Sequence, residues 1–353
     1  MAAVDIPAKQ WAQVINHPGA PIEFQEISVP QPEVDEVLVN VKFSGVCHTD
    51  LHALLGDWPL QRKMPLVGGH EGTGIVVAKG QQVKDTEIGD HVGIKWLNGT
   101  CQSCVFCHQG AEQLCARALL SGYTVDGTFQ QYAVAKAAYV TKIPTECNLE
   151  DAAPIMCAGL TVYKGLKETC ARPGQYIVIV GAGGGLGSYA LQYGTAMGIN
   201  CIGVDTGEDK AQLCKELGAV AFIDYKKSSD IAADLRAAIP DGLEAHAALL
   251  LATHEEPFRQ AYKYVRPYGT VVCVGMPGQA LLQAPVFDTV VRMISIKGSY
   301  VGNRLDIAEA MEFFRLGKIK TPHKTLGLSQ LQEVYDKMRM DTITGRYVVD
   351  TSK

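Results

Sequence analysis

The sequence predicts an α/β protein of two domains: an irregular β-rich part, then a doubly wound parallel sheet of six strands. Three observations carry this reading. The length of 353 residues is about twice the ~150 residues of one ordinary domain. Up to about residue 150 the chain is rich in Gly and Pro, with short alternating apolar stretches that fit half-buried strands, such as Val37, Val39, Val41 and Phe43 or the run 72–80. From residue 176 onward the texture changes to short apolar runs at 176–180, 199–204, 220–224, 246–251, 270–275 and 294–298. Buried strands alternating with helical crossovers form a parallel sheet. The expected divisions are 1–155, 156–293 and a tail, 294–353. That tail holds two amphipathic helical stretches, 304–316 and 329–338, before a strand-like GRYVVD at 345–350. Periodicity leaves open whether it closes the sheet or folds back onto the first domain.

Composition excludes several classes. Lys+Arg 32 against Asp+Glu 37 gives a net charge of -5, which argues against nucleic acid as a partner. An apolar content of 47% excludes disorder, and no window approaches the ~18 apolar residues of a membrane helix. The N-terminal MAAVDIPAKQWAQV lacks a basic segment followed by an apolar run, so a cytoplasmic location is expected. In that setting eleven cysteines point to metal ligation rather than disulfides.

Cys101, Cys104, Cys107 and Cys115 have the spacing C-x2-C-x2-C-x7-C. Two short turns and a longer arm let four thiolates close a tetrahedron about 2.3 Å from a zinc ion, a site with no open position. Free thiols and an iron–sulfur cluster are the alternatives, although the proline that follows the last cysteine of bacterial cluster runs is missing. The loop GAGGGLG at 181–187 follows an apolar run and opens a helix-like segment. Gly181, Gly184 and Gly187, with Gly185 between them, form G-x-x-G-x-x-G, one residue longer than the usual dinucleotide fingerprint. Such glycines let backbone N–H groups approach a pyrophosphate at a helix N-terminus. Asp205, at the end of the next apolar run, stands where an acid holds a ribose 2′-hydroxyl and repels a 2′-phosphate, favouring NAD over NADP. A third constellation is dispersed: Cys47, His70 and Cys157 would make a Cys₂His set with a fourth position open to substrate. Taken singly, Cys157 reads as a small buried hydrophobe and His70 as a hydrogen-bonded core histidine.

Together GVCHTDLH, PLVGGHEG, the cysteine loop, LSGYT, FQQY, TVYK, VGMPG and VGSYVGNR resemble the zinc-dependent medium-chain alcohol dehydrogenases, closest to the tetrameric fungal and yeast-type enzymes. The similarity runs from about residue 10 to the last strand, in family order. It implies a GroES-like catalytic domain, completed by the returning tail, that encloses a cleft with a Rossmann coenzyme domain. It also implies two zinc ions per chain: Cys47, His70 and Cys157 match the catalytic ligands, with Glu71 able to bind in some states, and the four clustered cysteines match the structural site. That Cys₂His assignment is the family's known ligand set, which the spacing alone does not establish. Thr49 matches the hydroxyl that takes the alcohol proton and His52 the end of the relay to water. His48 and Arg346 match pyrophosphate contacts, Lys210 the residue near the adenosine ribose, and Val274 and Met276 coenzyme contacts. Trp58, Trp96 and Met276 resemble the walls of a pocket for ethanol-sized primary alcohols.

The resemblance thus implies an NAD-linked, zinc-dependent oxidoreductase of small alcohols and aldehydes, a homotetramer that pairs sheet edges through 294–302. Leu54 and Leu55 replace a Trp-His pair of fermentative yeast enzymes, and 250–256 departs from the usual small residues. These departures leave open an aldehyde reductase for a bulkier substrate. A non-catalytic protein on the same fold is a third reading, against which the intact Cys47, Thr49, His70 and Cys157 set stands.

Overall fold

A computed structural model describes residues 5–340 and 345–353. Residues 1–4, part of the stretch inspected for a leader, lie outside them. The chain divides into two compact units, Met1–Cys157 with Gly302–Arg315 and Thr321–Lys353, and Ala158–Val301 with Leu316–Lys320. Among the described residues no helix is long and apolar enough to cross a membrane.

In the second unit the six apolar runs form one parallel sheet. Its spatial order is Ala221–Asp224, Asn200–Asp205, Tyr176–Val180, Ala245–Leu250, Val265–Cys273, Ser295–Gly298. Strands covered on both faces need apolar side chains pointing both ways, and Ile177, Val178, Ile179, Ile202, Val204, Leu249 and Val271 are all buried. Tyr176–Val180 lies between Asn200–Asp205 and Ala245–Leu250. The chain therefore builds outward to one side and then returns to the other, so the glycine loop after Val180 sits at the switch point where such sheets bind ligands. Residues 294–301 were expected in the returning tail. They belong to this unit because Ser295–Gly298 pairs parallel with Val265–Cys273. Met156 and Cys157 fall in the first unit, and 316–320 in the second.

The first unit is organised by the eleven-residue strand Glu36–Val46, antiparallel to Gly72–Lys79, Tyr132–Lys136 and the tail strand Arg346–Asp350. The register Tyr347↔Val46 and Val349↔Ser44 folds the tail back onto the N-terminal part. The helix Leu331–Arg339 buries Leu331, Val334, Tyr335 and Met338, the i, i+3, i+4, i+7 stripe of an amphipathic helix. That stripe shares a core with Leu51 and Leu54 of the helix His48–Leu55, and with Ile15, Leu66 and Phe129. Leu54 is fully buried in this core, while Leu55 is exposed.

Candidate active site

The long strand ends at Val46, so Cys47 becomes the N-cap of the helix His48–Leu55, in extended conformation at φ -126°. Its backbone N–H donates to Asp50 Oδ2 at 2.9 Å. Asp50 Oδ1 lies 2.7 Å from His70 Nδ1, and both side chains are 1% exposed. A carboxylate on one ring nitrogen fixes the tautomer and presents the other as a metal ligand. His70 Nε2 lies 3.3 Å from Cys157 Sγ, and one donor atom from each of Cys47, His70, Glu71 and Cys157 falls within 4.8 Å of the others. Hydrogen bonding with Cys157 draws the Cys47 thiol well below its ordinary pKa, against the cost of burial, and the His70 ring helps. Burial disfavours a charge on His70, but Asp50 and Cys47 together push its pKa well above the usual value. Two thiols and an oriented imidazole are the donor set of an open zinc site.

Glu71, fully buried, pairs through both carboxylate oxygens with Arg346 Nη2. Burial pushes it up to about 7, with Arg346 opposing. A Cβ on Gly45 would collide with Glu71 Oε2, so the glycine makes room for this pair. Arg346, matched to a pyrophosphate contact, thus sits on Glu71 here. Asp50 was missed in the sequence, although an acid three residues past a cap, as in CHTD, is the mark of a helix start.

His52 Nδ1 lies 2.9 and 3.0 Å from the Asp57 carboxylate oxygens, and its ring stacks on Trp58 at 4.9 Å. Trp58 meets Trp96 edge-on at 6.3 Å, and Trp96 lies 5.4 Å from the His70 ring. Tyr123, also missed in the sequence, packs 5.7 Å from Trp96 and 6.0 Å from Trp58. Trp58, Trp96 and Tyr123 therefore form one aromatic group, which reaches the metal-ligand cluster through the contact of Trp96 with His70. Thr49 is half-buried and His48 exposed on the same helix.

The four clustered cysteines also converge. Sγ–Sγ distances are 3.9 Å for Cys101–Cys107, 3.6 Å for Cys104–Cys107 and 3.5 Å for Cys101–Cys115. Four bonds of about 2.3 Å to one tetrahedral ion place sulfurs about 3.8 Å apart, whereas a four-iron cube would hold them farther apart. The spacing fits a single zinc. Thr100 Oγ1 lies 3.2 Å from Cys107 Sγ. From the tail, Asn303 Nδ2 donates to Gly110 O at 2.7 Å and Arg304 Nε to Glu112 Oε1 at 2.6 Å, clamping the lobe.

In the second unit Gly181 takes φ +85° and Gly184 caps the helix Gly185–Ala196. A Cβ on Gly187 would collide with the carbonyl oxygens of Gly181 and Ala182. Asp205 Oδ2 accepts the Gly183 N–H at 2.9 Å, and Oδ1 accepts from Lys210 Nζ and the Thr206 N–H, each at 2.8 Å. Gly181, Gly184, Asp205, Lys210 and His254 line one cavity of about 1260 Å³. His254 comes from the divergent 250–256 stretch. Val274 is buried, whereas Met276 is 61% exposed and lines a separate hollow.

The family described as the alcohol dehydrogenase GroES-like domain matches residues 33–145, and that of the zinc-binding dehydrogenases matches 185–315. The chain is 63% identical to Alcohol dehydrogenase 1 of Neurospora crassa over the whole of both proteins. It is 58% identical to Alcohol dehydrogenase 1 of Emericella nidulans, over 98% of this chain and 99% of that one. Among solved structures it is similar to acetophenone reductase from Geotrichum candidum in complex with NAD, at 29% identity, 99% coverage of both chains and a TM-score of 0.84. It is also similar to the alcohol dehydrogenase of Aeropyrum pernix, at 27% identity, 97% of this chain, 100% of that chain and a TM-score of 0.85. With this fold, the two convergent donor sets and relatives alike over the full length, the chain belongs to the zinc-binding dehydrogenases and is an alcohol dehydrogenase.

Proposed function

We propose that the protein interconverts small primary alcohols and aldehydes reversibly with NAD, holding one zinc ion at Cys47, His70 and Cys157 and a second at Cys101, Cys104, Cys107 and Cys115. The observation that carries this is the Cys47–His70–Glu71–Cys157 cluster, four donors within 4.8 Å of one another from three parts of the chain. When bound, zinc supplies the Lewis acidity that makes an alcohol proton removable near neutral pH, and NAD supplies the hydride acceptor. The residues do the rest. Cys47 and Cys157 give thiolates and His70 gives Nε2, with Asp50 holding the opposite ring nitrogen. Thr49 takes the alcohol proton and His52 passes it to water. Trp58 and Trp96, joined by Tyr123, leave room for an ethanol-sized group. Gly181, Gly184, Gly185 and Gly187 receive the pyrophosphate, Asp205 and Lys210 the adenosine ribose, and Val274 and Met276 contact the coenzyme.

The test is NADH oxidation with aldehydes from acetaldehyde to bulky aromatic ones. Short aldehydes are expected to give the highest kcat/KM; preference for bulky ones would overturn the pocket assignment. The burial of Leu54 in the core supports a pocket shaped by the aromatic rings. Metal analysis is expected to return two zinc ions per chain, and one ion would remove one of the two assignments.

At His48 an imidazole faces a pyrophosphate less firmly than a guanidinium fork would. His48→Arg is therefore expected to slow NADH dissociation about fivefold, equivalent to about 1 kcal/mol, the net worth of one ordinary hydrogen bond. An unchanged stopped-flow release rate would remove His48 from the coenzyme contacts. A cytoplasmic homotetramer is the assembly we favour. It is supported by Val286, Phe287, Val290, Val291 and Met293, each at least 63% exposed, just before the edge strand Ser295–Gly298. Light scattering is expected to give four chains per particle.

A further inference from the structure

The first unit contains a buried amine that neither metal cluster uses. Lys95 is 1% exposed. Its Nζ donates to the carbonyl oxygen of Tyr139 and sits 5.8 Å from that residue's ring centroid, with the Arg304 guanidinium 4.9 Å from the same centroid. Lys95 lines a cavity of about 220 Å³ together with Val140, Thr141, Arg304, Ile307 and Met311. Two polar atoms here lack partners among the described residues: the Thr141 hydroxyl in the cavity wall, and Oε2 of Glu112, whose other oxygen holds Arg304. An orphaned buried hydroxyl and an amine, in a hollow whose wall sets Val140, Ile307 and Met311 beside the charged Lys142, Arg304 and Glu312, mark a place suited to a small polar group on an alkyl body.

We propose that Lys95 is a covalent aldehyde site, its ε-amine condensing reversibly with a short-chain aldehyde held in this cavity to form an imine. The amine lone pair forms the C–N bond to the carbonyl carbon as the C=O π bond breaks. An amine proton moves to the oxygen, giving a carbinolamine for which the Thr141 hydroxyl is a hydrogen-bond partner. The C–O bond then breaks, and the oxygen leaves as water with the second amine proton. Nothing is oxidised or reduced, and the aldehyde is the product of the protein's own activity. Ile307 and Met311 suit the alkyl group.

The reactive form is the neutral amine, which desolvation and a neighbouring cation favour. Burial pushes Lys95 down to about 7; Glu112 opposes this and Arg304 adds to it. At pH 7 about half of Lys95 is then free base, against roughly one part in three thousand for an ordinary exposed lysine.

The test uses the zinc-loaded full chain without added coenzyme, exposed at pH 7 to low acetaldehyde and cyanoborohydride, which reduces an imine to a stable N-ethyl-lysine. Peptide mass mapping is expected to find Lys95 ethylated at least about tenfold faster than the average of the other lysines, given that free-base advantage. Across pH 6–9 its labelling is expected to level off above about 7, while exposed lysines keep rising. Labelling of Lys95 no faster than of exposed lysines would overturn the proposal. Because the aldehyde is added directly, that outcome is independent of the substrate range proposed above.

Discussion

Replacing Asp50 by Asn is expected to weaken zinc binding at Cys47, His70 and Cys157 by about 10–100-fold, the usual cost of losing a carboxylate behind a ligating histidine, and to lower kcat with it. One carboxylate here does two things: Oδ1 holds His70 Nδ1 at 2.7 Å and Oδ2 holds the Cys47 N–H at 2.9 Å. An amide has one acceptor oxygen, so it satisfies one of these and turns its NH₂ toward the other. It also removes the negative charge that favours a basic His70 in a site with almost no solvent. Graded chelation followed by metal analysis separates the sites. Zinc at Cys101, Cys104, Cys107 and Cys115 is expected to survive, while zinc at the other cluster is lost at lower chelator strength. Equal loss from both would mean Asp50 acts on the fold as a whole. Asp50→Glu, which keeps the charge but moves it, is expected to recover part of the affinity.

What was legible in the sequence is what depends on neighbours along the chain. Four cysteines within fifteen residues announce a metal lobe, because a short loop cannot keep them apart. Gly181, Gly184 and Gly187 announce a nucleotide loop, because strand, turn and helix are contiguous. The six parallel strands were visible for the same reason, each being a short apolar run between crossovers. Cys47, His70 and Cys157 could be grouped only through family resemblance. His70 and Cys157 are 87 positions apart, and no periodicity reports a contact of that range. The return of the tail is likewise a long-range pairing, decided by the free edge of Glu36–Val46 rather than by anything local to GRYVVD. Leu54 is close to Trp58 in sequence yet packs in the core with Leu66 and Phe129, because helix neighbours face different ways. Lys95 stands in the sequence as one polar residue in the run VGIKWL. Ile94, Lys95 and Trp96 are all buried, so alternation gave no hint that both faces of this strand end are covered.

Lys95→Met is expected to make the protein more stable at low pH, by an amount that shrinks as pH rises. The amine has a folded pKa of about 7 against 10.5 for the ordinary lysine. Below pH 7 both states carry the proton, and the folded state bears the full cost of a buried charge, about 4–5 kcal/mol from the pKa difference. Between pH 7 and 10.5 the unfolded chain binds more protons than the folded one, so stability rises with pH and the cost fades; above 10.5 it is gone. Methionine removes the titration while nearly preserving the volume. It also leaves the Tyr139 carbonyl without its donor, a loss of about 1–3 kcal/mol that does not depend on pH. The variant should therefore lead by roughly 2 kcal/mol at pH 6, and its lead should fall by about 2–3 kcal/mol by pH 9, ending near or below the parent. Urea unfolding of both proteins at several pH values measures this, since comparing the pair cancels every group they share. A lead that stays constant from pH 6 to 9 would show that Lys95 does not titrate as a buried amine, and the free-base argument for its aldehyde chemistry would fall with it.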